Sequence, residues 1–95
     1  LEPCIHTGKT PPCAEAVLDA GIERVVIGSL DPNPLVAGKG RDKLQNHRVS
    51  VRTGVLEGEC LRLNEKFVYW ITQKRPFVTV KMAQTLDGKT ATRTG

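Results

Sequence analysis

The chain reads as an α/β protein built around a parallel sheet, and three observations carry that reading. Helix-favouring segments alternate with β-branched runs along the sequence. The run at 24–30, "RVVIGSL", is apolar without strict alternation, as a strand covered on both faces should be. The composition, 39% apolar, 25% charged and 4% aromatic over 95 residues, suits one small soluble domain or a piece of a larger protein. Strands separated by helices imply right-handed crossovers.

Each element follows from local chemistry. Residues 1–12 are rich in Pro, Gly and Thr and form a loop. Residues 13–20, "CAEAVLDA", favour helix, with Ala14, Val17 and Leu18 on one face and Gly21 as the stop. After the strand at 24–30, "DPNPLVAGKG" holds too many Pro and Gly residues for a regular element. Residues 41–47 suit a short helix with Leu44 inward, and "RVSVRTGV" at 48–55 alternates as a strand. Leu56, Cys60, Leu63, Phe67 and Trp70 then recur at helical spacing, which predicts one helix over about 57–71 with that stripe, Cys60 included, in the core. "KRP" at 74–76 breaks it, "FVTVKMA" at 77–83 is expected to be a strand, and Asp87-Gly88 a turn.

Charge divides the chain at the same break. Residues 1–71 carry nine basic and nine acidic side chains, whereas 72–95 carry Lys74, Arg75, Lys81, Lys89 and Arg93 against Asp87 alone. The whole net charge of +4 therefore lies in the last segment. It lacks the dense basic stripe with interleaved aromatics of a nucleic-acid binder, and a small phosphorylated ligand explains it as well. No apolar run approaches the ~20 residues of a membrane span. The chain opens at Leu1, inside a motif and with no signal peptide in view, so it reads as part of a longer protein. Three cysteines make an odd count in ordinary α/β sequence, which favours a reducing, cytoplasmic setting.

The sharpest local signal is "PCIHTGKTPPC", residues 3–13. Cys4 and Cys13 permit a disulfide loop, two unpaired thiols at a loop end and a helix start, or part of a zinc site lacking at least one ligand. The start of a helix at Cys13 offers unpaired N–H groups that favour a thiolate. His6 sits so near Cys4 that joint ligation would strain the loop.

At these residues the chain resembles a known family. "LEPCIHTGKTPPC" and "AGIERVVIGSLDPNPLVAGKG" are similar to the riboflavin-biosynthesis pyrimidine deaminases, and "NEKF" and "RPFVTVKMAQTLDGKTATRTG" resemble the junction to, and start of, their fused reductase. The long "HTGKTPP" spacer marks this branch off from generic zinc deaminases. The resemblance implies a cytidine-deaminase-like three-layer α/β/α fold for residues 1–73, of which this is the C-terminal part. It implies the first strand of a dihydrofolate-reductase-like α/β domain for 74–95. Cys4 and Cys13 then match zinc ligands, with the His ligand and the Glu that shuttles protons both upstream of residue 1. Lys9 and Asn33 match positions that hold the phosphate end of the substrate, and His6 matches a further position in the substrate loop. Asp31 is expected to brace the loop rather than touch ligand. Lys81 and Ala83 match positions lining the NADPH and substrate cleft, Ala83 through its backbone.

The implied function is zinc-dependent deamination of a phosphorylated pyrimidine, with NADPH-dependent reduction of the ribosyl chain in the fused domain. Partners are then the small-molecule substrate and further copies of the full-length chain, with no nucleic acid or membrane. Two other readings compete: a degenerate deaminase module supporting a reductase, and a nucleoside or tRNA-base deaminase. The cysteine spacer and the "KMAQTLDGKT" tail speak against the last.

Overall fold

The computed structural model describes residues 1–94. It is a small mixed α/β body from which the C-terminal segment extends. The body consists of α1 (Cys13–Asp19), β1 (Arg24–Ile27), α2 (Lys39–Asn46), β2 (Ser50–Thr53), α3 (Glu57–Leu63) and α4 (Glu65–Gln73).

The parallel pairing expected from the alternation is present. β1 and β2 run parallel in the register Arg24↔Ser50, Val25↔Val51, Val26↔Arg52 and Ile27↔Thr53, with α2 in the connection between them. The ladder is extended by one bond, from Gly54 N to the Ile27 carbonyl at 2.9 Å. β1 stops at Ile27, short of the expected 30, because the chain bends at Gly28. A Cβ at Gly28 would lie 2.2 Å from the Cys60 sulfur, so the absent side chain lets α3 close on the strand end. Cys60 is half-buried there rather than in the core.

The core is made where the helical and strand periodicities put it. Ala14, Leu44 and Val49 are buried together, and Ile5, Val17, Leu18, Val25 and Val51 pack around them. α1 ends in a Schellman arrangement: Gly21 N donates to Leu18 O at 3.0 Å and Ile22 N to Val17 O at 3.4 Å. Gly21 takes φ +66°, the left-handed conformation that makes it the stop.

The segment at 57–71 differs from expectation in two ways. The helix over 57–71 is two helices divided at Asn64, whose backbone N–H and side-chain amide both donate to the Cys60 carbonyl. A side chain that competes for helical acceptors favours a break. The Leu56–Trp70 stripe is not core among the described residues: Leu63 is 86% and Trp70 51% exposed. The period is amphipathic, but no second layer lies against that face here.

The expected strand at 77–83 joins no sheet among the described residues; the sheet is β1 and β2 alone. Residues 72–94 are exposed throughout. Phe77 packs edge-on against Tyr69, with ring centroids 5.6 Å apart. The radius of gyration, 19.7 Å, exceeds the about 12 Å of a compact chain of this length. A strand forms only against a partner, and the extending segment has none. The expected turn is formed: Gly88 N donates to Thr85 O, Thr85 N to Lys89 O, and Lys89 pairs with Asp87.

Candidate functional site

The loop at 3–13 folds back so that its ends meet. Ala14 N donates to the Cys4 carbonyl at 3.0 Å, and Cys13 N donates to the Cys4 sulfur at 3.3 Å. All three cysteines are free, so the disulfide alternative is not realised. The N–H at the start of α1 serves Cys4, not Cys13, contrary to the expectation for a thiolate at Cys13. Hydrogen bonding to Cys4, and then the charge on Cys4, push the Cys13 thiol up from its ordinary value. Two adjacent thiols resist the loss of the second proton unless a cation offsets the charge.

That pair fits part of a zinc donor set: two free cysteine side chains at the ends of one short loop, with the Cys4 sulfur accepting a backbone N–H. Among the described residues no group of three or more His, Cys, Asp or Glu side chains converges to hold a metal. His6 is therefore not brought into a three-ligand set with the thiols. It lies instead, with Glu2, Cys4, Asp31 and Val36, around a crevice of about 10 Å³. That is room for one water at most, not for a substrate.

The residue that organises this region is Glu2. Its side chain is only 6% exposed and receives three backbone N–H groups from two other segments. Oε2 accepts from Asp31 at 3.0 Å and Gly38 at 2.9 Å; Oε1 accepts from Arg41 at 2.9 Å. α2 has no side-chain cap of its own, its N-cap being Gly38 at φ +80°. Glu2 supplies the missing cap from elsewhere in the chain, and its charge suits the helix N-terminus. Burial pushes the Glu2 carboxyl up, but the backbone N–H groups of Arg41, Asp31, Gly38 and Gly40 together hold it below its ordinary value.

Gly40 makes the approach possible. A Cβ there would fall 2.0 Å from the Pro3 carbonyl oxygen and 3.1 Å from the Glu2 Cγ. The first turn of α2 thus rests directly on the backbone one residue before Cys4.

The same carboxylate fixes the loop that carries Asn33. Asp31 receives the Glu2 contact through its N–H and passes it on: its Oδ1 accepts from Asn33 N at 2.8 Å. Asp31 thus braces the loop, as expected. Asn33 Oδ1 accepts from Leu35 N at 3.0 Å, and its carbonyl accepts from Val36 and Ala37. The side-chain oxygen is committed to the turn, which leaves the amide NH₂ as the group Asn33 can offer a ligand. Lys9 is exposed on the thiol loop and makes no ion pair among the described residues.

In the extending segment, Ala83 lines an open groove of about 430 Å³ together with Gln84, Thr85, Lys89, Thr90 and Thr92. Lys81 is exposed and not among the lining residues.

No family model matches the chain. Curated relatives do. The riboflavin biosynthesis protein RibD of Aquifex aeolicus is 58% identical over 95 residues, 100% of this chain and 27% of that protein. RibD of Synechocystis is 56% identical over 92 residues, 97% of this chain and 25% of its own length. The chain is homologous to a segment of RibD. Solved structures agree in shape. Acinetobacter baumannii RibD superposes with TM-score 0.79 at 46% identity, covering 92% of this chain and 24% of that one. A Thermotoga maritima diaminohydroxyphosphoribosylaminopyrimidine deaminase/5-amino-6-(5-phosphoribosylamino)uracil reductase gives 0.74 at 52%, covering 99% and 27%. The chain thus spans about a quarter of the RibD proteins it matches.

Glu2 carries no local sequence pattern that marks it as a cap for α2. A helix that opens Gly-Lys-Gly, with no capping side chain of its own, was the available signal that a cap must come from elsewhere. Which of the acidic residues supplies it is a long-range contact that spacing does not reveal.

Proposed function

We propose that this chain is the segment of a bifunctional riboflavin-biosynthesis enzyme that joins the end of a zinc-dependent deaminase domain (1–73) to the start of an NADPH-dependent reductase domain (74–95). The deaminase part has the cytidine-deaminase-like three-layer fold and the reductase part the dihydrofolate-reductase-like one. The whole enzyme is cytoplasmic and homo-oligomeric. Its substrate is a pyrimidine carrying a phosphoribosylamino group.

The observation that carries this reading is the thiol pair. Cys4 and Cys13 are brought together by a backbone N–H-to-sulfur bond, in a chain homologous to RibD from end to end. A zinc ion held there supplies Lewis acidity that activates water for the hydrolytic release of ammonia. The His ligand and the proton-shuttling Glu come from residues outside this chain. Lys9 pairs with the substrate phosphate as a charged donor. The Asn33 amide donates to the same end of the substrate, with its oxygen held by the turn. His6, on the rim beside Cys4, borders the substrate. In the reductase, Ala83 and Lys81 border the nicotinamide cofactor and the ribosyl chain.

The test uses the full-length protein. Metal analysis should find about one zinc per chain, with ammonia released from the phosphorylated pyrimidine and NADPH oxidised in the second step. Cys4→Ser combined with Cys13→Ser should remove the zinc and the deamination while sparing NADPH oxidation on the deaminated substrate. Zinc content unchanged in that double variant would refute the assignment.

A further inference from the structure

We infer that Glu2 is a positioning residue for the deamination, acting through Asp31 to place the Asn33 amide relative to the thiol pair; the inference rests on the substrate role proposed above for Asn33. The argument starts from what one carboxylate joins. Glu2 lies two residues before Cys4, so it belongs to the thiol loop. Its oxygens receive N–H groups from Asp31 and Gly38, the two ends of the segment that contains Asn33, and from Arg41 in the first turn of α2.

From Asp31 the connection runs on without a gap. The Asp31 carboxylate holds Asn33 N at 2.8 Å, and Asn33 Oδ1 holds Leu35 N at 3.0 Å. With Oδ1 held by the Leu35 N–H, the NH₂ is the part of the Asn33 side chain left to meet a ligand. Glu2 is 6% exposed and borders only the crevice of about 10 Å³, which is too small for a substrate, so it acts on substrate through this relay.

Cys4 does not depend on it. Its carbonyl and sulfur are held by Ala14 N and Cys13 N, at the other end of the loop. Loss of the Glu2 charge should therefore loosen the substrate loop without dispersing the thiols. A carboxylate accepts at both oxygens, whereas an amide offers one acceptor and one donor. In Glu2→Gln at least one of the three N–H groups must face a donor. Aspartate is a methylene shorter and cannot keep all three contacts, so Glu2→Asp should not rescue.

The experiment is a double-mutant cycle on deaminase kcat/KM in the full-length zinc-loaded enzyme. Glu2→Gln should lower kcat/KM by roughly ten- to a hundredfold, mainly through KM, because misplacing a substrate-positioning group by about an ångström carries a cost of that order. Zinc content and NADPH oxidation should be unchanged. In an Asn33→Ala background the same substitution should cost less than about twofold, since the group it positions is gone. Asp31→Ala, which leaves the α2 cap in place, should reproduce the KM effect even if Glu2→Gln folds poorly. Equal losses with and without Asn33 would overturn the inference, as would loss of zinc in Glu2→Gln. Hydrogen exchange at the amides of Asp31, Gly38 and Arg41 separates this from the functional reading. Unchanged protection in Glu2→Gln overturns the latch itself. A wild-type enzyme without deaminase activity refutes the functional reading, and with it any positioning role, even where those amides lose protection.

Discussion

Gly40→Ala sets two effects of opposite sign against each other. By helix propensity alone, alanine at this first-turn position of α2 should stabilise by at most about 1 kcal/mol. The structure reverses that expectation. The new Cβ would meet the Pro3 carbonyl at 2.0 Å, more than an ångström inside normal contact, and the obstacle is backbone rather than a flexible tip. Either α2 or residues 2–3 must withdraw. A shift of that size stretches the bonds from Gly38 and Arg41 to Glu2, now 2.9 Å each. Hydrogen bonds to charged groups contribute roughly 1.5–3 kcal/mol apiece. Losing one fully and weakening another costs about 2–5 kcal/mol, so the net effect is destabilisation by some 1–4 kcal/mol after the propensity gain is credited. The assay is urea unfolding of the full-length protein followed by tryptophan fluorescence, with Trp70 in α4 as one reporter. A lower midpoint at unchanged slope is the expected result. An unchanged or raised midpoint would mean that α2 does not press on Pro3 as described.

Three further outcomes follow from the same contacts. Glu2 is held below its ordinary value of 4.5 in the folded chain, so its stabilisation is fully present above that pH and lost as pH falls through the depressed folded value. Wild-type stability should drop more steeply than that of Glu2→Gln in this acid window and equally above it, and parallel curves would contradict the assignment. Lys9→Ala should lower deaminase efficiency about 10- to 150-fold with zinc retained, the loss shrinking for a substrate analogue without phosphate. Gly28→Ala should destabilise by about 1–3 kcal/mol because its Cβ meets the Cys60 sulfur, and Cys60→Ala should recover part of that loss; no recovery would show that the Val55 carbonyl, at 3.2 Å, is the true obstacle.

Much of this chain was determined locally. Ala14, Val17 and Leu18 face one way because helical spacing puts them there, and Gly21 ends α1 because only glycine takes φ +66° without strain. The parallel pairing of β1 with β2 followed from β-branched runs joined through a helix. The Cys4-to-Cys13 spacer alone left a disulfide, two free thiols and part of a zinc site open, and the folded loop holds the cysteines free. What tertiary structure alone decided was where long-range partners lie. No spacing rule links Glu2 to Asp31, Gly38 and Arg41, since those contacts span 29 to 39 residues and exist only once the thiol loop, β1 and α2 are assembled. The α3–α4 stripe and the segment at 77–83 carry the local signals of core and strand, yet burial and pairing are properties of two surfaces in contact. The sequence of one surface states its preference, and only the presence of the other makes it a core residue or a strand.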